Sequence, residues 1–172
     1  MDLSKNRVNP RPAPESGGPA PGRRYGGIDK DERQRQRRQR LIEAGLAVFG
    51  QKGFHATTVR NVCHHAELTS RYFYESFESM EALFEGVYTH VNAELMRRTL
   101  AALQGAPMVP EKLAEDALRA FLTFIQEDPH RARVVLIDAL TVGAGASRIS
   151  NESNKDFARL IASFIEMLYP TL

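Results

Sequence analysis

Tryptophan is missing from this 172-residue chain, and cysteine occurs once. A lone Cys63 cannot close an internal disulfide, so nothing calls for an oxidising compartment. No apolar run approaches the ~18–20 residues that a membrane-spanning helix needs. The stretch from Val134 to Ile137, for instance, stops at Asp138. The N-terminus carries charge without the apolar core of a secretory leader, so a cytoplasmic protein is expected. Gly-rich phosphate loops, nucleophile elbows and paired zinc histidines on a helix are all missing, which argues against an enzyme and leaves no cofactor implied. Cys63, His64 and His65 are consecutive and would fan over about 200° of a helix, too wide to close on one ion, so no metal site is expected. Strand-like alternation and internal repeats are missing as well. What periodicity there is has a helical spacing, and the expected fold class is all-α.

Charge is nearly balanced overall, at +2, but unevenly placed: residues 1–60 carry +7 and residues 61–172 carry −5. Residues 1–31 hold five prolines, five glycines and few apolar side chains, a composition that cannot offset the entropy of ordering. They read as a disordered tail. Lys5, Arg7, Arg11, Arg23 and Arg24 give it the character of a mobile arm for DNA phosphates, or of a solubilising leader.

The chain is organised around Thr57 to Phe77. Val59, Val62, Cys63 and Ala66 form one apolar stripe, after which a short turn at Glu67 and Leu68 leads to a second helix anchored by Phe73 and Phe77. Two short helices joined by a tight turn, the second with a polar outer face, describe a helix-turn-helix that reads double-stranded DNA. Thr57 or Thr58 caps the earlier helix, and Thr69 or Ser70 the later one. A hydroxyl at a helix start also suits a phosphate, although capping alone accounts for the threonine. Thr69, Ser70 and Arg71 stand where a recognition helix meets base edges, and arginine is the natural bidentate partner of guanine. Tyr72 and Tyr74 can stack or donate to phosphate. Neighbouring positions point about 100° apart, so Tyr72, Phe73 and Tyr74 cannot all be core.

Upstream, the basic run Arg35 to Arg40 leads into a helix whose stripes are Leu41, Gly45, Val48 and Ile42, Leu46, Phe49, ending near Gly50 to Gly53. Its basic half is expected along the DNA backbone. Downstream, Ser79 opens a long fourth helix with Leu83, Phe84, Val87, Tyr88, Val91, Leu95 and Leu103 on one stripe, stopped by Gly105 and Pro107. A fifth, from Pro110, carries Leu113, Ala117, Phe121 and Phe124, with Leu118, Leu122 and Ile125 beside them. The sixth, from Ala132, is apolar nearly all round and therefore expected to be buried, with Asp138 inside it. A seventh offers Phe157, Leu160, Ile161, Phe164, Ile165 and Leu168. Phe121, Phe124, Ile125, Leu136, Asp138, Phe157, Ile161 and Phe164 are candidates to line an apolar ligand pocket, with plain core packing as the alternative. Asp138 reads either as a pocket acid or as a satisfied buried carboxylate.

From Arg35 to Val91 the chain resembles the TetR family of transcriptional regulators, on the spacing of LIEAGLAVFGQKGFHATTVRNVCHHAEL and TSRYFYESFESMEALF. The resemblance implies a DNA-binding head over 32–95 and a helical ligand-binding and dimerising body over 96–172. It carries family DNA contacts to Thr58, Thr69, Ser70, Arg71 and Tyr72, and a phosphate contact to Tyr74. It further implies a ligand-responsive repressor whose partners are an operator duplex, a small-molecule effector and a second copy. Three features depart from the pattern. Glu67 replaces the usual turn glycine, Met80 replaces a common phosphate-binding lysine, and the chain reaches only about the start of the family's two dimerising helices, which implies a shortened body. A helical module that binds ligands or proteins but no DNA is the competing expectation.

Overall fold

The computed structural model describes residues 30–138, together with residues 155–156, 158–160, 162–164 and 166–167. Six α-helices run in order: α1 (Lys30–Lys52), α2 (Val59–Ala66), α3 (Ser70–Ser76), α4 (Met80–Leu103), α5 (Pro110–Glu127) and the short α6 (Pro129–Ala132). A π-helical segment, Arg133–Asp138, continues α6. The described residues between 155 and 167 are also helical, and no strand occurs among the described residues. The fold is all-α, with a helix-turn-helix at its head.

Periodicity places the core. Leu41, Ile42, Ala44, Val48 and Phe49 of α1 meet Val62, Cys63 and Ala66 of α2, Phe73 of α3 with Phe77 just beyond it, and Leu83, Phe84, Val87, Tyr88 and Val91 of α4, all of them buried. Phe84 lies at its centre, with Phe49 and Phe54 edge-on at 5.5 and 5.4 Å between ring centroids, an arrangement that adds aromatic attraction to burial. Burial raises the Cys63 thiol pKa, so this cysteine behaves as a small apolar side chain. Ser79 caps α4 by accepting from the Ala82 N–H at 3.1 Å.

Phe124 and Val134 belong to the same buried cluster, so the later helices share the head's core. The join is close. A Cβ at Gly50 would lie 2.2 Å from the His130 Cβ and 2.6 Å from its Cα, so only glycine lets α1 and α6 touch here. Gly53 ends α1 with φ +82°, donates to the Phe49 carbonyl at 2.7 Å, and lies against the Arg133 guanidinium. Just past it, the Phe54 N–H donates to Asp138 Oδ2 at 3.2 Å. Polar contacts knit α4 to α5. Arg98 bridges Glu94 and Glu127, while Arg98 and Arg131 hold their guanidiniums 5.3 and 4.3 Å from the centre of the Phe124 ring. Bonds from Arg97 and Arg98 pull the Glu94 pKa down to about 2.

Two expectations are corrected. Leu118 and Leu122 on α5 are 58% and 48% exposed, so of the second stripe only Ile125 packs against the core, and only Leu113 and Phe124 of the helix are buried. The sixth helix is not buried all round either. Its i→i+5 winding brings Val134 and Asp138 inward and leaves Leu136 and Ile137 exposed. The tail up to residue 29 and the loop at Gly143 and Gly145 lie outside the described residues.

Candidate nucleic-acid interface

The first half of the helix-turn-helix is set by a capping box. At Thr58, with φ −120° and ψ 158°, the hydroxyl accepts from the Asn61 N–H at 3.2 Å and donates to Asn61 Oδ1 at 3.0 Å. The Asn61 amide oxygen in turn accepts from the Thr58 N–H at 3.2 Å. Thr58 is exposed, yet its hydroxyl already has both a donor and an acceptor within the helix start. Thr57 is buried, and its hydroxyl donates to the Gly53 carbonyl at 2.8 Å.

The turn needs a left-handed residue, and Glu67 supplies it at φ 52° and ψ 41°. For a side-chain-bearing residue this costs ~1 kcal/mol. The conformation lets the Leu68 N–H reach the Cys63 carbonyl at 2.9 Å, closing the end of α2. Arg40 reaches across from α1 and donates to the Ala66 carbonyl at 2.7 Å, with Glu67 Oε2 at 3.5 Å.

Helix α3 begins after Thr69, whose hydroxyl makes no capping bond. Ser70, Arg71, Tyr74 and Glu75 fall within about 140° of arc and face outward, opposite the buried Phe73. Tyr74 is 61% exposed, its ring edge-on to Phe73 at 5.2 Å. Tyr72 is half-buried, with the Arg37 guanidinium 4.6 Å from its ring centre. Arg71 Nε–H donates to Glu75 Oε1 at 2.9 Å across the exposed face, a surface pair worth ~0.3–0.5 kcal/mol.

Thr69, Ser70, Arg71 and Tyr74 therefore share one open surface at the front of α3, with Thr58 exposed at the start of α2. Tyr72 is turned partly inward. The basic lead-in differs from the reading of it as a phosphate strip. Arg40 seals α2, Arg37 covers Tyr72, and Arg38 lies 4.5 Å from the Phe77 ring centre, so three of its arginines brace the helix-turn-helix. Glu75 was not singled out by the sequence, although its four-residue spacing from Arg71 is a standard helix-pair signal.

The candidate pocket residues are not alike. Phe124 is buried in the core, Phe121 and Ile125 pack against it, and Leu136 is 49% exposed. Phe164 is half-buried, and Phe157 and Ile161 lie outside the described residues. Asp138 is buried and accepts the Phe54 N–H, with Arg133 Nε 3.9 Å away. Burial raises its pKa, opposed by Arg133, by the Phe54 bond and by His55.

A buried three-helix bundle with one face of α3 exposed defines the class: a helix-turn-helix head. Residues 41–87, which span most of this head, match the family described as bacterial regulatory proteins, tetR family. The chain is similar to the HTH-type transcriptional repressor DhaR of Mycobacterium sp. (strain GP1), with 29% identity over 85 residues, 49% of this chain and 43% of DhaR. It is also similar to YdgC of Bacillus subtilis (strain 168), an HTH-type transcriptional regulator, with 26% identity over 132 residues, 75% of this chain and 64% of YdgC. The chain thus spans about half to two thirds of the length of these relatives. Among solved structures, a transcriptional regulator from Pseudomonas aeruginosa PAO1 shares the fold at TM-score 0.67 and 21% identity, over 86% of this chain and 70% of that one. The fatty acid degradation regulator FadR of Bacillus halodurans does so at 0.68 and 14%, over 76% and 67%.

Proposed function

We propose that this chain is a sequence-specific DNA-binding transcriptional regulator acting as a ligand-responsive repressor. The observation that carries the reading is the open front of α3, where Thr69, Ser70, Arg71 and Tyr74 stand clear of a helix held rigidly from behind by Phe73 and by arginines of α1. Arg71 reads a base edge, Tyr74 holds a phosphate, and Thr58 lies against the backbone through the free N–H groups of the α2 start. The partners are an operator duplex, a second copy of the chain and a small-molecule effector. Two heads on one duplex would set half-sites about 34–36 Å apart or at a multiple of that spacing. Names among similar structures agree with an effector role, one being a multidrug binding protein, EbrR, complexed with imidazole. Among the described residues no helix is long and apolar enough to cross a membrane, in keeping with a cytoplasmic regulator.

The test is selection of duplexes from a random pool, followed by titration at rising salt. Binding should fall steeply with salt, as phosphate contacts release counterions. Arg71→Ala should lower affinity for the selected duplex by ~1–3 kcal/mol and relax preference at one base position, leaving random DNA little affected. Tyr74→Phe should weaken binding to every duplex alike. Failure to retain any duplex at low salt would leave a helical module without DNA binding.

A further inference from the structure

Resting on the DNA reading proposed above, we infer that Glu75 is a positioning residue that sets the base specificity of Arg71. One carboxylate stands between two arginines from different helices. Its Oε1 accepts from Arg71 Nε–H at 2.9 Å, and its Oε2 faces the Arg37 guanidinium at 4.0 Å. Arg37 is itself held over Tyr72, so the carboxylate is tied back to α1 while Arg71 remains 84% exposed at the side chain. A guanidinium has five donor hydrogens in a fixed fork. With Nε engaged by Glu75, the two terminal nitrogens are left to point away from the protein, the arrangement a guanine O6/N7 edge accepts in bidentate fashion.

An acidic side chain on a DNA-facing helix repels phosphates, and so lowers affinity for every duplex. Its contribution here is discrimination. It keeps Arg71 from swinging to a phosphate, a contact that carries no sequence information. Freed from Glu75, Arg71 becomes a mobile cation that any backbone satisfies.

The test compares the full chain with Glu75→Gln, Glu75→Asp and Arg71→Ala, using selected and random duplexes, with thermal unfolding as a check that each variant is folded. A bidentate contact separates the right base from the wrong one by about 5- to 150-fold. Glu75→Gln should bind random duplex more tightly than the parent and lose most of that discrimination at the position Arg71 reads. Glu75→Asp keeps the charge but shortens the reach, and should lose the same preference. Glu75→Gln combined with Arg71→Ala should show no further loss of preference over Arg71→Ala alone. The inference is overturned if Glu75→Gln strengthens binding to all duplexes equally with the base ranking intact, or if Glu75→Asp behaves as the parent, since either outcome leaves only a through-space charge. It is also overturned, with the DNA reading left standing, if Arg71→Ala keeps the parental base ranking. A parent chain that retains no duplex removes both readings together.

Discussion

Helices α1 to α4 and helix α5 are stabilised by different physics. In the head, Leu41, Phe49, Val62, Phe73, Leu83, Phe84 and Val87 are completely buried, and capping bonds at Thr58 and Ser79 fix where helices begin. In the eighteen residues of α5 only Leu113 and Phe124 are buried, with Phe121 and Ile125 packed against the core, and ion pairs through Arg98, Glu127 and Arg131 add to that join. Apolar burial is not screened by salt, whereas exposed ion pairs are. The difference teaches that the proposed DNA-reading surface rests on the more deeply buried part. A body held partly by screened charges is the easier part to displace.

The largest test of this contrast is Phe49→Ala. Removing a ring that meets both Phe54 and Phe84 should destabilise the chain by ~3–5 kcal/mol, read by denaturant unfolding. A loss near that of a surface substitution would mean the head is not the rigid half. Next comes Thr58→Ala, which removes the hydroxyl arm of the capping box, leaves the Asn61 arm to the Thr58 N–H in place, and should cost ~1 kcal/mol in the same measurement.

Asp138 tests the junction through pH. Its raised pKa means that the native state holds the proton more tightly than the unfolded chain does. Its contribution is therefore fully present below the ordinary value of 3.8 and is withdrawn as pH climbs through the raised native value. Asp138→Asn, which can still accept the Phe54 N–H, should thus gain melting temperature relative to the parent as pH rises across that window. A difference that shrinks with rising pH would reverse the sign assigned here. The smallest effects belong to α5. Leu118→Gln and Leu122→Gln should each stay within ~0.5 kcal/mol of the parent by thermal unfolding, as exposed positions do.

Local rules made the head legible. Stripe spacing picks out Leu41, Phe49, Val62, Phe73 and Phe84 as core, and cap chemistry narrows the start of α2 to Thr57 or Thr58 and the end of α1 to Gly50 to Gly53, while the left-handed turn at Glu67 is signalled only by the resemblance. The arginine braces are different. Arg40 meets Ala66 twenty-six positions away, a distance at which periodicity says nothing. A run such as RQRRQR reads as solvated charge or phosphate strip until the partner rings of Tyr72 and Phe77 are placed beside it. The outer face of α5 misleads for the opposite reason, because an apolar residue at helical spacing signals burial only where another element lies against it. The π winding after α6 has no counterpart in a 3.6-residue count, and an all-round apolar run gives no sign that Leu136 and Ile137 stand exposed.

Gly50 and His130 form a contact that works in one direction only. The space between Gly50 and His130 is too small for even a Cβ, so motion of α6 toward α1 is passed on without slack, as by a strut. Motion away is resisted elsewhere, by the bond from the Phe54 N–H to Asp138, which acts as a tie, and by the burial of Val134 in the shared core. Strut and tie lie within a few residues of each other at the end of a helix about 34 Å long. The same helix carries, near its middle, the arginines that brace the recognition helix. A push and a pull from the body therefore reach the head through different atoms, and a side chain larger than glycine at position 50 would preload the strut.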